Sequence, residues 1–225
     1  MNHYRGLAAS PGIAIGPAYL YVPQGIPDES GESLGAAREQ ERLTEAVEEA
    51  RSQLASIYTK AVGEVGEETA AVFNAHREFL DDPELLSMAK EHIKSGGLSA
   101  GAAVGTAFET YAKMLDGMEE EYYRERAADL RDVSARVRRI LSGVQDQESL
   151  TNLATPVIIV ARDLTPSDTA QMNKAMVLGF CTAKGGPTSH TAIISRILGI
   201  PAVVGIGEQI MDVQPGTSLI IDGGE

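Results

Sequence analysis

The sequence predicts an α/β domain interrupted by an inserted, all-α helical bundle. Two textures carry that expectation. Short apolar runs beside Gly, Pro or Asp occupy both ends of the chain, and long stripes at helical period fill its middle. With 225 residues, 43% of them hydrophobic, the chain can bury one large core or two smaller ones.

In chain order, the first strand signal is IAIGPAYLYV at 13–22. The first helical stripe is Leu43, Val47, Ala50, Leu54, Ile57 and Ala61, spaced alternately by four and three. Asp82-Pro83 reads as a helix cap followed by Pro at the first helical position. Ser99 can cap the next helix. Val104, Phe108, Tyr111 and Leu115 continue the pattern, as do Leu130, Val133, Val137 and Ile140. Gly143 suits a helix C-terminus. These stripes predict four or so antiparallel helices in a bundle. After them the strand signals return: VIIVA at 157–161, MVLGF at 176–180, PAVVG at 201–205 and SLIID at 218–222. PSDTAQMN and SHTAIISRILG read as helices between strands, which predicts a mixed or parallel sheet with crossover helices. The first strand needs a sheet that only the late strands supply. The α/β part is therefore expected at 1–25 and 145–225, and the helical part at 26–144, joined through YVPQGIPDESGES and SGVQDQES.

Net charge is −13, which argues against nonspecific nucleic-acid or anionic-membrane binding. The charge is uneven: Asp28 to Gly143 holds 24 acidic and 14 basic side chains, a net of −10. No run of 18 apolar residues exists, so no membrane-spanning helix is expected. The start, MNHYRGLAASPG, reads as no secretory signal. The single cysteine, Cys181, cannot form an internal disulfide and reads as a buried apolar residue, in keeping with a reducing cytoplasmic setting.

The densest chemical signal is GGPTSHT at 185–191, between a strand and a helix expected to start near Ser189. Gly185 and Gly186 permit backbone shapes that a Cβ forbids and let another molecule come close. Helix-start N–H groups, with the hydroxyls of Thr188, Ser189 and Thr191, favour an anion. His190 is then an imidazole beside a phosphate-suited site, an arrangement that fits a covalent phosphohistidine. Residue chemistry alone leaves a plain capping role for His190 equally open. His3, His76 and His92 show no ligand spacing with His190, so no metal site is expected. No G-x-S-x-G elbow supports a serine hydrolase.

GGPTSHTAIISRILGIPAVVG resembles the phosphohistidine signature shared by enzyme I of the bacterial phosphoenolpyruvate:sugar phosphotransferase system, phosphoenolpyruvate synthase and pyruvate phosphate dikinase. GLAASPGIAIGPAY, FLDDPEL, ERAADLRD and DLTPSDTAQMN resemble stretches of enzyme I in particular, and so does the helical insertion. The resemblance covers essentially the whole chain, as the N-terminal half of enzyme I. It implies a swivelling α/β phosphohistidine subdomain and a helical subdomain that docks the phosphocarrier HPr. It also implies that the phosphoenolpyruvate-binding, dimerising C-terminal domain lies outside this chain, with its Mg2+. The chain alone is then expected to be a monomer and the whole enzyme a homodimer.

Carried over residue by residue, the resemblance makes His190 the phosphorylated group and Thr169 a hydroxyl bonded to its ring, with Gly185, Gly186, Thr188 and Ser189 as the phosphate loop. Lys184 and Asp168 are further candidates beside the ring. Glu67, Glu68, His76, Asp82, Glu84 and Arg126 match places where enzyme I meets HPr. Phe79 and Leu85 are either apolar anchors for HPr or bundle core. Pro187 departs from the family, which often has a basic residue there; this leaves open an enzyme I paralogue, such as a nitrogen-related enzyme I or an enzyme-I-like part of a multi-phosphoryl protein. A synthase or dikinase central domain and a non-catalytic docking module of the same fold are also compatible with these motifs.

Overall fold

The computed structural model describes residues 2–23, 25, 33–143 and 150–224. Both expected linkers fall largely outside these residues. The chain divides into two compact units, Met1–Gln24 with Asp146–Glu225, and Gly25–Gln145. In order it runs β1 (Leu7–Ser10), β2 (Ile13–Tyr21), α1 (Ala36–Val65), α2 (Glu67–Asp81), α3 (Pro83–Lys94), α4 (Ala100–Asp116) and α5 (Glu121–Ser142). It continues through β3 (Val157–Ala161), α6 (Pro166–Gln171), β4 (Val177–Thr182), α7 (His190–Leu198), β5 (Ala202–Val204) and β6 (Ser218–Asp222).

The α/β unit is a six-stranded sheet in the order β1-β5-β4-β3-β2-β6. The four inner strands are parallel, and β1 and β6 pair antiparallel at the edges. Every residue of VIIVA is buried because β3 is central and covered on both faces. Its side chains alternate. Val157, Ile159 and Ala161 enter one core with Leu164, Phe180 and Ala192. Ile158 and Val160 enter the other with Ile206, Ile210 and Val213. Both crossover helices start as their sequences dictate. Thr165 and Asp168 form a capping box on α6, with Pro166 at its first position, and Ser189 caps α7. The short strand β1 had no separate signal in the sequence.

The helical unit has five helices among the described residues, where the stripes suggested about four. α1 buries Leu43, Val47, Ala50, Leu54 and Ala61 on one side. Asp82 accepts from the N–H groups of Glu84 (2.8 Å) and Leu85 (3.1 Å), so Asp-Pro starts α3, and it separates α3 from α2. The core face of α4 differs from the expected stripe: it is Ala100, Ala103, Val104, Ala107, Phe108 and Ala112, with Tyr111 and Leu115 only half buried. Alanine weighs little in a hydrophobic pattern, yet it is what lets two helices approach closely, and α4 packs chiefly on α5. Gly143 ends α5 with φ +64°, a left-handed cap.

One polar device ties this unit together. Glu39, only 1% exposed, accepts from Leu34 N–H (3.0 Å), Ala100 N–H (2.9 Å) and Arg42 Nη1 (2.9 Å). α1 has no side-chain N-cap at Gly35. Glu39 instead holds the chain just before α1, through Leu34 N–H, and also receives the first N–H of α4.

Candidate functional site

The site forms where the loop after β4 meets the starts of α6 and α7 on the α/β unit. β4 ends at Thr182, and the chain returns through Lys184 and Gly185. Gly185 has φ +101°, and a Cβ there would stand 3.0 Å from Ser189 Oγ. Ser189 needs that space, because its Oγ donates to Gly186 O (2.8 Å) and accepts from Ala192 N–H (3.4 Å). Gly185 is thus required by the turn. Gly186 is not, since a Cβ there would meet nothing within 4 Å. The expectation that both glycines serve backbone shape is corrected to one.

His190 is the first residue of α7 and is half buried. Its Nε2 lies 2.8 Å from the hydroxyl of Thr169. Thr169 is 3% exposed on α6, and its Oγ also donates to Pro166 O at 3.1 Å. A hydroxyl has one proton and two lone pairs. With its proton on Pro166 O, Thr169 accepts the Nε2–H of His190; with its proton on Nε2, it covers that lone pair. Either way the ring is held through Nε2 by a group fixed in the first turns of α6. Thr188 and Lys184 are exposed beside the loop. Asp168, a candidate to orient the ring, is otherwise engaged: it accepts from Thr165 N–H (2.8 Å) and from Tyr21 Oη (2.7 Å). These bonds help to build α6 and tie that helix to β2.

Cys181, on β4, is buried, and burial pushes its thiol up to about 12, so it stays protonated and unreactive. Among the described residues no three His, Cys, Asp or Glu side chains converge to hold an ion. Among the described residues, no helix is long and apolar enough to cross a membrane.

On the helical unit the expected partner residues separate. Glu67 and Glu68 are exposed in the first turn of α2, and Glu84 is exposed at the start of α3, where it accepts from Tyr111 Oη (3.1 Å). These two acidic points lie at opposite ends of α2, about 20 Å apart at 1.5 Å per residue. Asp82 is spent on the cap between them. His76 is corrected: its ring is wholly buried, so it offers no surface. It lies against Phe73, with Nε2 3.3 Å from Asp129 Oδ1 and Nδ1 3.9 Å from Asp132 Oδ2. Asp129 in turn faces Arg126 (3.6 Å), whose guanidinium sits over the Tyr122 ring. Leu85 is 2% exposed and belongs to the bundle core, whereas Phe79 is half buried and presents an edge.

Sequence reasoning missed one residue at the His190 loop. Arg196 donates to Pro187 O (2.8 Å) and Ala9 O (3.0 Å). Nothing in its sequence neighbourhood signals that, because its partners are a carbonyl in the loop and one on β1.

Comparison with known proteins places this arrangement. Residues 5–126 match the family model of the PEP-utilising enzyme N-terminal domain, and residues 153–225 that of the PEP-utilising enzyme mobile domain. A phosphoenolpyruvate-protein phosphotransferase of Listeria innocua is 43% identical over 222 residues, covering 97% of this chain and 38% of that protein. Its counterpart in Bacillus subtilis is 41% identical, covering 99% of this chain and 39% of that protein. The chain thus spans about two fifths of the length of these relatives. A solution structure of enzyme I has a TM-score of 0.75 at 42% identity, covering 98% of this chain and 90% of that one. The N-terminal domain of the nitrogen enzyme 1 has a TM-score of 0.64 at 29% identity, covering 99% and 92%. By sequence and by fold, the chain belongs to the PEP-utilising enzyme family and corresponds to the N-terminal domain of enzyme I.

Proposed function

We propose that this chain relays a phosphoryl group through His190, between phosphoenolpyruvate bound elsewhere in a longer protein and the phosphocarrier HPr. The observation that carries the reading is the His190–Thr169 pair at the capped start of α7. An imidazole is held at 2.8 Å by a buried hydroxyl, next to an exposed loop of small and hydroxylated residues. A neutral imidazole carries one unprotonated ring nitrogen that can act as nucleophile. In the first transfer the ring nitrogen forms a bond to phosphorus as the enol oxygen–phosphorus bond of phosphoenolpyruvate breaks and pyruvate leaves; in a second, separate transfer a histidine of HPr attacks that phosphorus and its bond to His190 breaks, which frees the ring. The protein's contribution is positioning and stabilisation of charge. Because Nε2 is held by Thr169, attack through Nε2 requires the ring to leave that hydroxyl.

The HPr dock in this reading is the acidic helical unit, with Glu67, Glu68, Glu84, Arg126 and the edge of Phe79 as its surface residues. Mg2+ belongs with the phosphoenolpyruvate site in the remainder of the enzyme, and the setting is the cytoplasm. The identity of 42% to enzyme I against 29% to the nitrogen-branch domain favours the sugar-transport branch, despite Pro187. The test is incubation with phosphorylated HPr followed by mapping of acid-labile phosphate. His190 should carry it, and His190→Ala should fold and carry none. Phosphate retained by that variant on another histidine would refute the assignment.

A further inference from the structure

The loop that sets His190 contains one wedged residue and one loose one. Gly185 is fixed by its turn against Ser189, but nothing stands within 4 Å of the Cβ position of Gly186. Pro187, next in the chain, has no N–H and can be held by the backbone only through its carbonyl. That carbonyl is taken by Arg196 Nη2 at 2.8 Å, from the second turn of α7. The other end of the same guanidinium, Nη1, donates to Ala9 O at 3.0 Å. Ala9 is a special residue of β1. The pairing of β1 with β5 runs Leu7 with Val204 and Ala8 with Val203, then slips, so that Ser10 faces Ala202 and Ala9 has no partner in register. An irregularity of this kind re-aims backbone groups, and such irregularities recur beside active sites. Here the carbonyl of the unmatched residue meets a cation.

We propose that Arg196 is a positioning residue for phosphoryl transfer, locking the Pro187 carbonyl to the irregular end of β1 so that the loop holds the His190 ring in one place. This rests on the reading of His190 as the phosphorylated group. The chemistry requires arginine. Two acceptors from separate segments are met by two nitrogens of one rigid plane, which a lysine ammonium on a flexible stem does not reproduce. Lysine does preserve the charge, the apolar stem and the helix propensity, so Arg196→Lys should fold.

The experiment compares the wild-type chain with Arg196→Lys and Arg196→Met. Far-UV circular dichroism reports folding, ring 15N–1H resonances report the placement of His190, and phosphate uptake at His190 is timed with two donors. Phospho-HPr is one; phosphoramidate, a small donor that needs no docking surface, is the other. Both variants should fold, show a displaced His190 ring signal, and lose about tenfold in uptake from both donors, within the ~100-fold that a misplacement of about 1 Å can cost. Unchanged ring signals and rates in folded Arg196→Lys would overturn the proposal, as would full recovery of the rate by lysine, because charge alone would then suffice. If Arg196→Met does not fold, the lysine variant decides. A wild-type His190 that takes phosphate from neither donor would instead overturn the phosphohistidine reading itself.

Discussion

At the residue scale, the Thr169 hydroxyl is hydrogen-bonded to the His190 ring, and Gly185 shapes the loop before it. Thr169 orients the His190 ring from a buried position. Thr169→Val keeps the shape and removes the hydroxyl, a loss of about 0.5–1.5 kcal/mol. Phosphate transfer should slow by roughly twofold to tenfold without stopping, and the NMR titration of His190 should move. If neither the rate nor the titration changes, the contact has no part in the reaction. The two loop glycines should behave differently although they are neighbours. Gly185→Ala places a side chain at φ +101° and against Ser189, so it should destabilise the α/β unit by about 1 kcal/mol or more. Gly186→Ala meets open space and should stay within about 0.5 kcal/mol of wild type in denaturant unfolding. Equal losses in the two variants would contradict this geometry. If folded Gly186→Ala fails to accept phosphate, that glycine serves the approach of the donor.

At the element scale, the helical unit depends on a carboxylate that joins two helix starts. Burial pushes the Glu39 carboxyl up, but the N–H groups of Leu34 and Ala100 and the Arg42 guanidinium outweigh burial and hold it below the usual carboxylate range. The sign of the pH effect follows. A group held low when folded binds its proton more readily when unfolded, so its stabilisation is fully present above the unfolded value of about 4.3. It is lost as pH falls through the lower, folded value. Glu39→Gln should destabilise the unit by about 1–3 kcal/mol at pH 7, in the range for losing hydrogen bonds to a buried charged group. The gap to wild type should close in strongly acidic solution. Chemical denaturation followed at several pH values measures it, and a gap independent of pH would show that the charge of Glu39 is immaterial. Similar logic explains why acidic residues around α2 and α3 have different duties: Asp82 is consumed as a cap, whereas Glu67 and Glu68 remain at the surface.

At the scale of the whole molecule, the helical stretch carries most of the negative charge, −10 of −13. If this stretch docks HPr, the exchange should weaken as salt shortens the Debye length from about 10 Å at 0.1 M towards 3 Å at 1 M. Phosphate transfer from phospho-HPr in rising NaCl measures this, and a rate indifferent to salt would place the dock elsewhere. No three metal-ligating side chains converge among the described residues. The purified chain should therefore release no pyruvate from phosphoenolpyruvate and Mg2+, while still exchanging phosphate with HPr. Pyruvate release above background would show that the substrate site lies within these residues.

Much of this protein can be read from its sequence for simple physical reasons. VIIVA is a strand because a run buried on both faces must be apolar throughout, and it is found at 157–161 as expected. Asp82-Pro83, Ser99 and Gly143 punctuate helices because caps are local chemistry, decided within four residues. The placement of His190 at a helix start is legible for the same reason, since Ser189 caps that helix itself. What required the tertiary structure is set by residues far apart in the chain. The alanine face of α4 exists only against α5, the burial of His76 depends on where Asp129 and Asp132 lie, and Arg196 finds its two carbonyls 9 and 187 positions away. Backbone carbonyls look alike at every residue, so no sequence pattern marks which one a distant guanidinium will meet. Folding decides that, by bringing β1 and the loop before His190 to the same end of α7.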